Sequence, residues 1–149
     1  MLGSKDDSAL LKARGLRLRV LKQGIRLNQP CAALNQCRCS IYSSRPRYCR
    51  QFECVVLKDQ IEGRITINEA LTIVRKAKRL AAKAAKILTL LGDTEDKLSL
   101  RQRYTRSTRR WDPAQWTAQQ ASEAYKLSDI MHRLNLLLSE RFYPSSEQD

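Results

Sequence analysis

The stretch from Thr66 to Gly92 constrains this chain most, because its pattern suits one long amphipathic helix and little else. Thr66-Ile-Asn-Glu69 has the spacing of a capping box, in which a hydroxyl and a carboxylate satisfy N–H groups left free at a helix start. Beyond it Leu71, Val74, Ala77, Ala81, Ala84, Leu88 and Leu91 recur at helical spacing, the stripe by which a helix buries one face. Gly92 ends the run. Asp93 or Thr94 can cap a second helix, with Glu95 and Asp96 in its first turn against the macrodipole. That helix runs basic through Arg101, Arg103, Arg106, Arg109 and Arg110. Asp112-Pro113 then pairs an N-cap residue with proline at the first helical position. A third helix is expected from there to about Arg141, with Leu127, Met131, Leu134 and Leu138 on its inner face, before Pro144 and a polar tail.

The first part of the chain reads differently. Ser8 to Gly15 suggests one or two helical turns, with Asp6, Asp7 or Ser8 at the N-cap and Gly15 just past the end. Leu16 to Val20 alternates strictly, as a half-buried strand does. Gly24 marks a turn, and Ile25 to Leu27 is the returning strand of a hairpin. Residues 28–54 are irregular and rich in cysteine, with little hydrophobic means of folding unless something staples them. Val55 to Leu57 is short and apolar, and Gly63 marks another turn. Five glycines and four prolines in 149 residues agree with long regular segments. The expected fold is α+β and mainly helical: a small Cys-rich module with a short β-hairpin, followed by three α-helices. The length suits a single domain over 1–149, with the Cys-rich module at 1–65 and the helical region at 66–149.

Charge narrows the partners without choosing one. The net charge is +13, with +8 over residues 1–60, +8 over residues 61–110 and −3 over the remainder. Such a surface could attract nucleic acid, anionic lipid or an acidic protein, or could simply be well solvated. Leu80 to Leu91 is the most apolar run, and Lys83 and Lys86 interrupt it, which excludes a membrane span there. The residues after Met1 show neither a basic n-region nor an apolar h-region, so no signal peptide is expected and the compartment is taken as cytoplasmic. In a reducing cytosol, clustered cysteines are more often metal ligands or redox groups than disulfides.

All five cysteines fall within Cys31-Ala-Ala-Leu34-Asn-Gln-Cys37-Arg38-Cys39-Ser-Ile41-Tyr42-Ser-Ser-Arg45-Pro46-Arg47-Tyr-Cys49-Arg50-Gln-Phe52-Glu53-Cys54. Without Cys37 the spacing is C-x7-C-x9-C-x4-C, which is not that of a zinc finger or ribbon and leaves the metal open. Buried free thiols are the plainer reading, but buried cysteines rarely cluster so tightly. The string C-x-x-L…C-x-I-Y-x-x-R-P-x-x-C-R-x-F-x-C resembles the zinc- or iron-chelating cysteine-cluster family of YkgJ-like proteins. About two dozen residues carry the resemblance. Family members also have a C-x-x-C-C motif upstream of a hairpin like that at Leu16 to Leu27, and this chain has no cysteine before Cys31. Either the chain starts after that motif or this member has lost half its ligands; the retained hairpin favours the first.

The resemblance implies a protein that chelates zinc or iron through Cys31, Cys39, Cys49 and Cys54, with Cys37 an accessory thiol. Four thiolates around a divalent ion form a closed tetrahedral site of net charge −2. Arg38, Arg45, Arg47 and Arg50 could offset that charge and lower the thiol pKa values, while Tyr42 and Phe52 could pack over the metal and exclude water. The same thiolates could hold an iron–sulfur cluster in a redox protein, although the spacing differs from common ferredoxin runs. Nucleic-acid binding is a further alternative, through Lys76, Lys78, Arg79, Lys83 and Lys86 and a denser patch from Arg101 to Arg110, with the metal module as scaffold. Trp111 and Trp116 suit helix junctions better than stacking platforms. His132, the sole histidine, suits a helix surface. With no P-loop, dinucleotide fingerprint, nucleophile elbow or H-E-x-x-H, no catalytic constellation is identified.

Overall fold

The computed structural model describes residues 5–21, 24–28, 30–36 and 38–143, and it is mainly helical with two small antiparallel hairpins. The chain forms two compact units: Met1–Phe52 with Lys97–Ser99, and Glu53–Asp96 with Leu100–Asp149.

In the first unit, α1 spans Lys5–Ala13, so Asp6, Asp7 and Ser8 lie inside the helix rather than at its cap. The end of α1 is a Schellman motif: the Gly15 N–H donates to the Lys12 carbonyl at 2.9 Å, and the Leu16 N–H to the Leu11 carbonyl at 3.0 Å. Gly15 has φ +74°, a backbone state that a Cβ disfavours by about 1 kcal/mol. The motif brings Leu11 and Leu16 together, and with Ala33 they form the buried core of this unit. The hairpin follows as β1 Leu18–Leu21 and β2 Gly24–Leu27, in the register Leu18↔Leu27 to Leu21↔Gly24. Gly24 is therefore the first residue of a strand, and the turn itself lies outside the described residues. Leu18 and Leu27, opposite one another, pack against the Leu11 core.

The cysteine-rich segment is more regular than its composition suggests. A second hairpin pairs β3 Leu34–Asn35 with β4 Arg38–Cys39. A 3₁₀ turn at Tyr42–Ser44 and the short helix α2 at Arg47–Gln51 follow. Pro46 occupies the N-cap of α2, where its missing N–H costs no hydrogen bond.

The second unit is helical. α3 spans Val55–Ile61, α4 Ile67–Leu90, α5 Leu100–Thr108 and α6 Ala118–Arg141. Six α-helices are present among the described residues; of the three short ones before Thr66, α1 answers to the turns expected from Ser8 to Gly15, while α2 and α3 were not expected. α4 begins at the Thr66–Glu69 capping box, with both reciprocal bonds formed. α4 and α6, 24 residues each, run antiparallel. Ala84, Ile87 and Leu88 meet Leu127 and Met131 at one end, while Arg141 shares a cleft with Asn68 and Thr72 at the other. Leu88 and Leu127 are fully enclosed, each worth roughly 1.5–3 kcal/mol over an exposed leucine. Leu91, Leu100, Tyr104, Trp111 and Ile130 close the cluster. Leu71, expected in the stripe, is exposed because burial on α4 concentrates from Leu80 to Leu88.

Two helix starts differ from expectation for one reason: the nominated cap residue is used locally. Asp93 closes α4, its N–H donating to the Leu88 carbonyl at 2.9 Å, so α5 begins at Leu100 instead. Asp112 caps only a 3₁₀ turn at Pro113–Gln115. Trp116 is then extended, edge-on to Trp111 with ring centres 5.1 Å apart, and a second capping box at Thr117 and Gln120 starts α6. Pro144 and the tail lie outside the described residues. Among the described residues no helix is long and apolar enough to cross a membrane.

Candidate functional site

Three of the four expected ligands belong to the first unit, and the local fold explains their placement. Cys31 opens a turn in which the Leu34 N–H donates to its carbonyl at 2.9 Å. Cys39 sits on β4 directly across from Leu34. The Ser40 N–H and hydroxyl both donate to the Ala33 carbonyl, at 2.8 and 3.1 Å, which ties the two ends of this hairpin together. Its turn passes through Gln36 at φ +44°, an unusual state for a residue with a Cβ. Cys37 follows and lies outside the described residues. Cys31 and Cys39 are half-buried against the Leu11, Leu16 and Ala33 core. Cys49 is the third residue of α2, also half-buried.

Cys49 responds to its surroundings. Burial pushes the Cys49 thiol up from its ordinary pKa, the neighbouring Cys31 and Cys39 push it further, and the Arg45 guanidinium pulls it back in part. The expected lowering by arginine is therefore real in sign for Arg45 and outweighed in size. All three are free thiols, as is Cys54. Among the described residues, no three His, Cys, Asp or Glu side chains are arranged as a metal site.

Cys54 lies in the second unit, at the N-cap of α3, half-buried and with no side-chain capping bond.

The surrounding residues depart from expectation in two ways. Tyr42 and Phe52 do not cover the thiols; they are 65% and 54% exposed. Tyr42 instead carries the Arg45 guanidinium 3.8 Å above its ring, a cation–π contact. Of the four arginines expected to balance the cluster, Arg38 and Arg50 are exposed, and the Arg47 side chain lies outside the described residues. Arg45 is the one held close, and its Nε is buried without a hydrogen-bond partner. Arg14, just past the end of α1, braces this loop by donating to the Ser44 carbonyl at 3.2 Å and to the Ser44 hydroxyl.

The second unit holds buried carboxylates, Asp59 and Asp93, whose ion pairs the amino-acid pattern did not reveal. Asp59 accepts from Arg64 Nε at 2.8 Å, with Arg64 Nη2 at 2.7 Å and Arg141 Nη2 at 3.8 Å. Asp93 accepts from Arg103 Nε at 2.6 Å. The available signal was positional: each aspartate belongs to a helix-ending turn that contains a glycine, where its backbone is already committed. Open clefts of about 400 Å³ beside Asn68, Thr72 and Arg141, and about 320 Å³ beside Thr94, Arg106 and Arg110, adjoin these pairs. His132 is exposed on α6.

No protein-family model, curated protein or solved structure matches this chain significantly.

Proposed function

We propose that the first unit is a cytoplasmic metal-binding module, with Cys31, Cys39 and Cys49 as thiolate donors to zinc or iron. The observation that carries the reading is that Cys31 and Cys39, half-buried at the β3–β4 hairpin, lie near enough to Cys49 on α2 to add to the rise that burial causes in its pKa. Half-buried thiols that repel one another when ionised are what a divalent cation relieves, since it binds the thiolate and releases the proton. The donor set fits a soft or borderline metal. The side chains are not in ligand geometry as they stand, so binding requires their rotamers to converge. The resemblance of the Cys31–Cys54 string to the YkgJ-like family supports the same reading.

Arg45 would then have a definite role. Its guanidinium is fixed by Tyr42 and leaves one buried Nε free, so it can offset the thiolate charge that the metal does not cancel. When bound, the metal would supply a cross-link among segments whose core, among the described residues, centres on Leu11, Leu16 and Ala33.

Elemental analysis of the full chain, purified without added metal, tests the reading. Zinc or iron near one equivalent is expected, together with a fall in thermal stability when Cys39 is replaced by serine. Acid-labile sulfide accompanying the iron would identify an iron–sulfur cluster in place of a single ion. Cys54→Ser, measured in parallel, shows whether the metal draws on the second unit. If no metal is retained, none binds on titration into reduced protein, and Cys39→Ser is neutral, the proposal fails.

A further inference from the structure

Charges on the second unit are distributed unevenly between its two long helices. On α6, Lys126 pairs with Glu123 and Arg133 with Asp129. In and around α5, Arg103 pairs with Asp93 and Arg106 with Glu95, so the patch from Arg101 to Arg110 is partly neutralised. α4 is different. It carries Arg75, Lys76, Lys78, Arg79, Lys83 and Lys86, and there is no acidic residue from Ala70 to Gly92. All six are exposed, and among the described residues none has an ion-pair partner.

Their arrangement is linear. At about 100° per residue, Arg75, Arg79, Lys83 and Lys86 fall within an arc of about 80°. Leu80, Ala84, Ile87 and Leu88 are the buried residues of α4, on its other side. The row extends roughly 17 Å along the axis, with steps of about 4.5–6 Å. A regular row of unpaired cations matches a regular row of anions better than it matches scattered carboxylates. Amphipathic helices that lie on membranes insert their apolar face, and that face of α4 is already spent on the core shared with α6. Trp111 is held edge-on between Tyr104 and Trp116, so its ring is not presented for base stacking.

We infer that the exposed face of α4 is an interaction surface for the phosphodiester backbone of a nucleic acid, bound without reading bases. Arg75, Arg79, Lys83 and Lys86 each neutralise one phosphate. Affinity then comes from released counterions and falls with salt at a slope near −0.9 per contact on duplex DNA. For four contacts, raising salt from about 50 to about 200 mM weakens binding about 150-fold.

The test is fluorescence polarisation of the full chain with labelled duplex DNA and, separately, with single-stranded and duplex RNA of arbitrary sequence. Arg79→Gln/Lys83→Gln should cut the duplex-DNA salt effect to about 12-fold over the same range, because two contacts remain. Lys126→Gln/Arg133→Gln on α6 should leave it unchanged. The charge-conserving Arg79→Lys/Lys83→Arg keeps binding, which separates charge from folding, and far-UV circular dichroism checks each variant. Binding to DNA, RNA or both supports the inference and identifies the source of the phosphate. Absence of binding at low salt overturns it, as does an α4 variant no weaker than the α6 control. Equal affinity for phosphatidylserine vesicles or for polyglutamate overturns the assignment to nucleic acid.

Discussion

Replacing Arg103 by alanine should be the most damaging single change to a charged residue in the second unit. Asp93 follows Gly92 at the end of α4; its side chain is only 4% exposed and that of Arg103 13%. Nε stands 2.6 Å from the carboxylate, and Nη2 also donates to the Thr89 hydroxyl at 3.4 Å. Truncation leaves a buried carboxylate without its cation, a loss of about 3–5 kcal/mol in comparable cases. Asp93 also borders the cleft of about 320 Å³, where water can reach it once the arginine is gone. That relief places the expected loss near the lower end, about 3 kcal/mol. For a domain of this size it corresponds to a fall in Tm of roughly 12–24 °C. Urea and thermal unfolding followed by circular dichroism measure it. Asp93→Asn/Arg103→Met removes both charges and keeps the arginine's apolar stem, so it should be milder than Arg103→Ala alone. Arg133→Ala, at a pair more than half exposed on both sides, should cost under about 0.5 kcal/mol. A loss below about 1 kcal/mol for Arg103→Ala, or a double variant as unstable as the single one, would refute this reasoning.

Two other consequences can be checked directly. Hydrogen bonds from the Thr66 N–H and hydroxyl hold the Glu69 carboxyl below its ordinary pKa. A depressed folded value means that its contribution is complete above the ordinary glutamate range and is lost as pH falls through the folded value; Glu69→Gln should therefore flatten the acid limb of a stability–pH curve, and an unchanged limb contradicts the capping role. Burial, then Cys31 and Cys39, raise the Cys49 thiol, so its contribution is present below the unfolded thiol range and lost as pH rises through the folded value. Iodoacetamide should label Cys49 in metal-free folded protein more slowly than in urea, and Arg45→Met should slow it further; faster labelling in the folded state would show that the thiol is activated instead.

Much of the helical half was legible because local chemistry and tertiary packing agree there. The Thr66 capping box, the stop at Gly92 and the inward Leu127, Met131 and Leu134 appear where pattern and capping rules place them. Helix starts were less legible. Asp93 and Asp112 are good cap residues in isolation, yet one ends α4 and the other serves a single 3₁₀ turn. The Thr117–Gln120 capping box competes with the Asp112 signal and starts the long helix.

Around the cysteines, the residue string nominates Cys31, Cys39, Cys49 and Cys54, and with them a soft-metal donor set. Chain folding determines which elements carry them. The β3–β4 hairpin and α2 bring Cys31 and Cys39 near enough to Cys49 to raise its pKa, while Cys54 stands at the N-cap position of α3 in the second unit. Spacing along a chain does not reveal that difference, because a thiol's neighbours depend on turns such as that at Gln36. The sign of each charge is likewise written in the residues, but its availability is not. Arg103 and Arg106 meet Asp93 and Glu95 through folding, whereas the α4 cations have no acidic residue within reach on their own helix face. Composition therefore establishes that this protein is basic, and the packing of its helices leaves that charge free along α4.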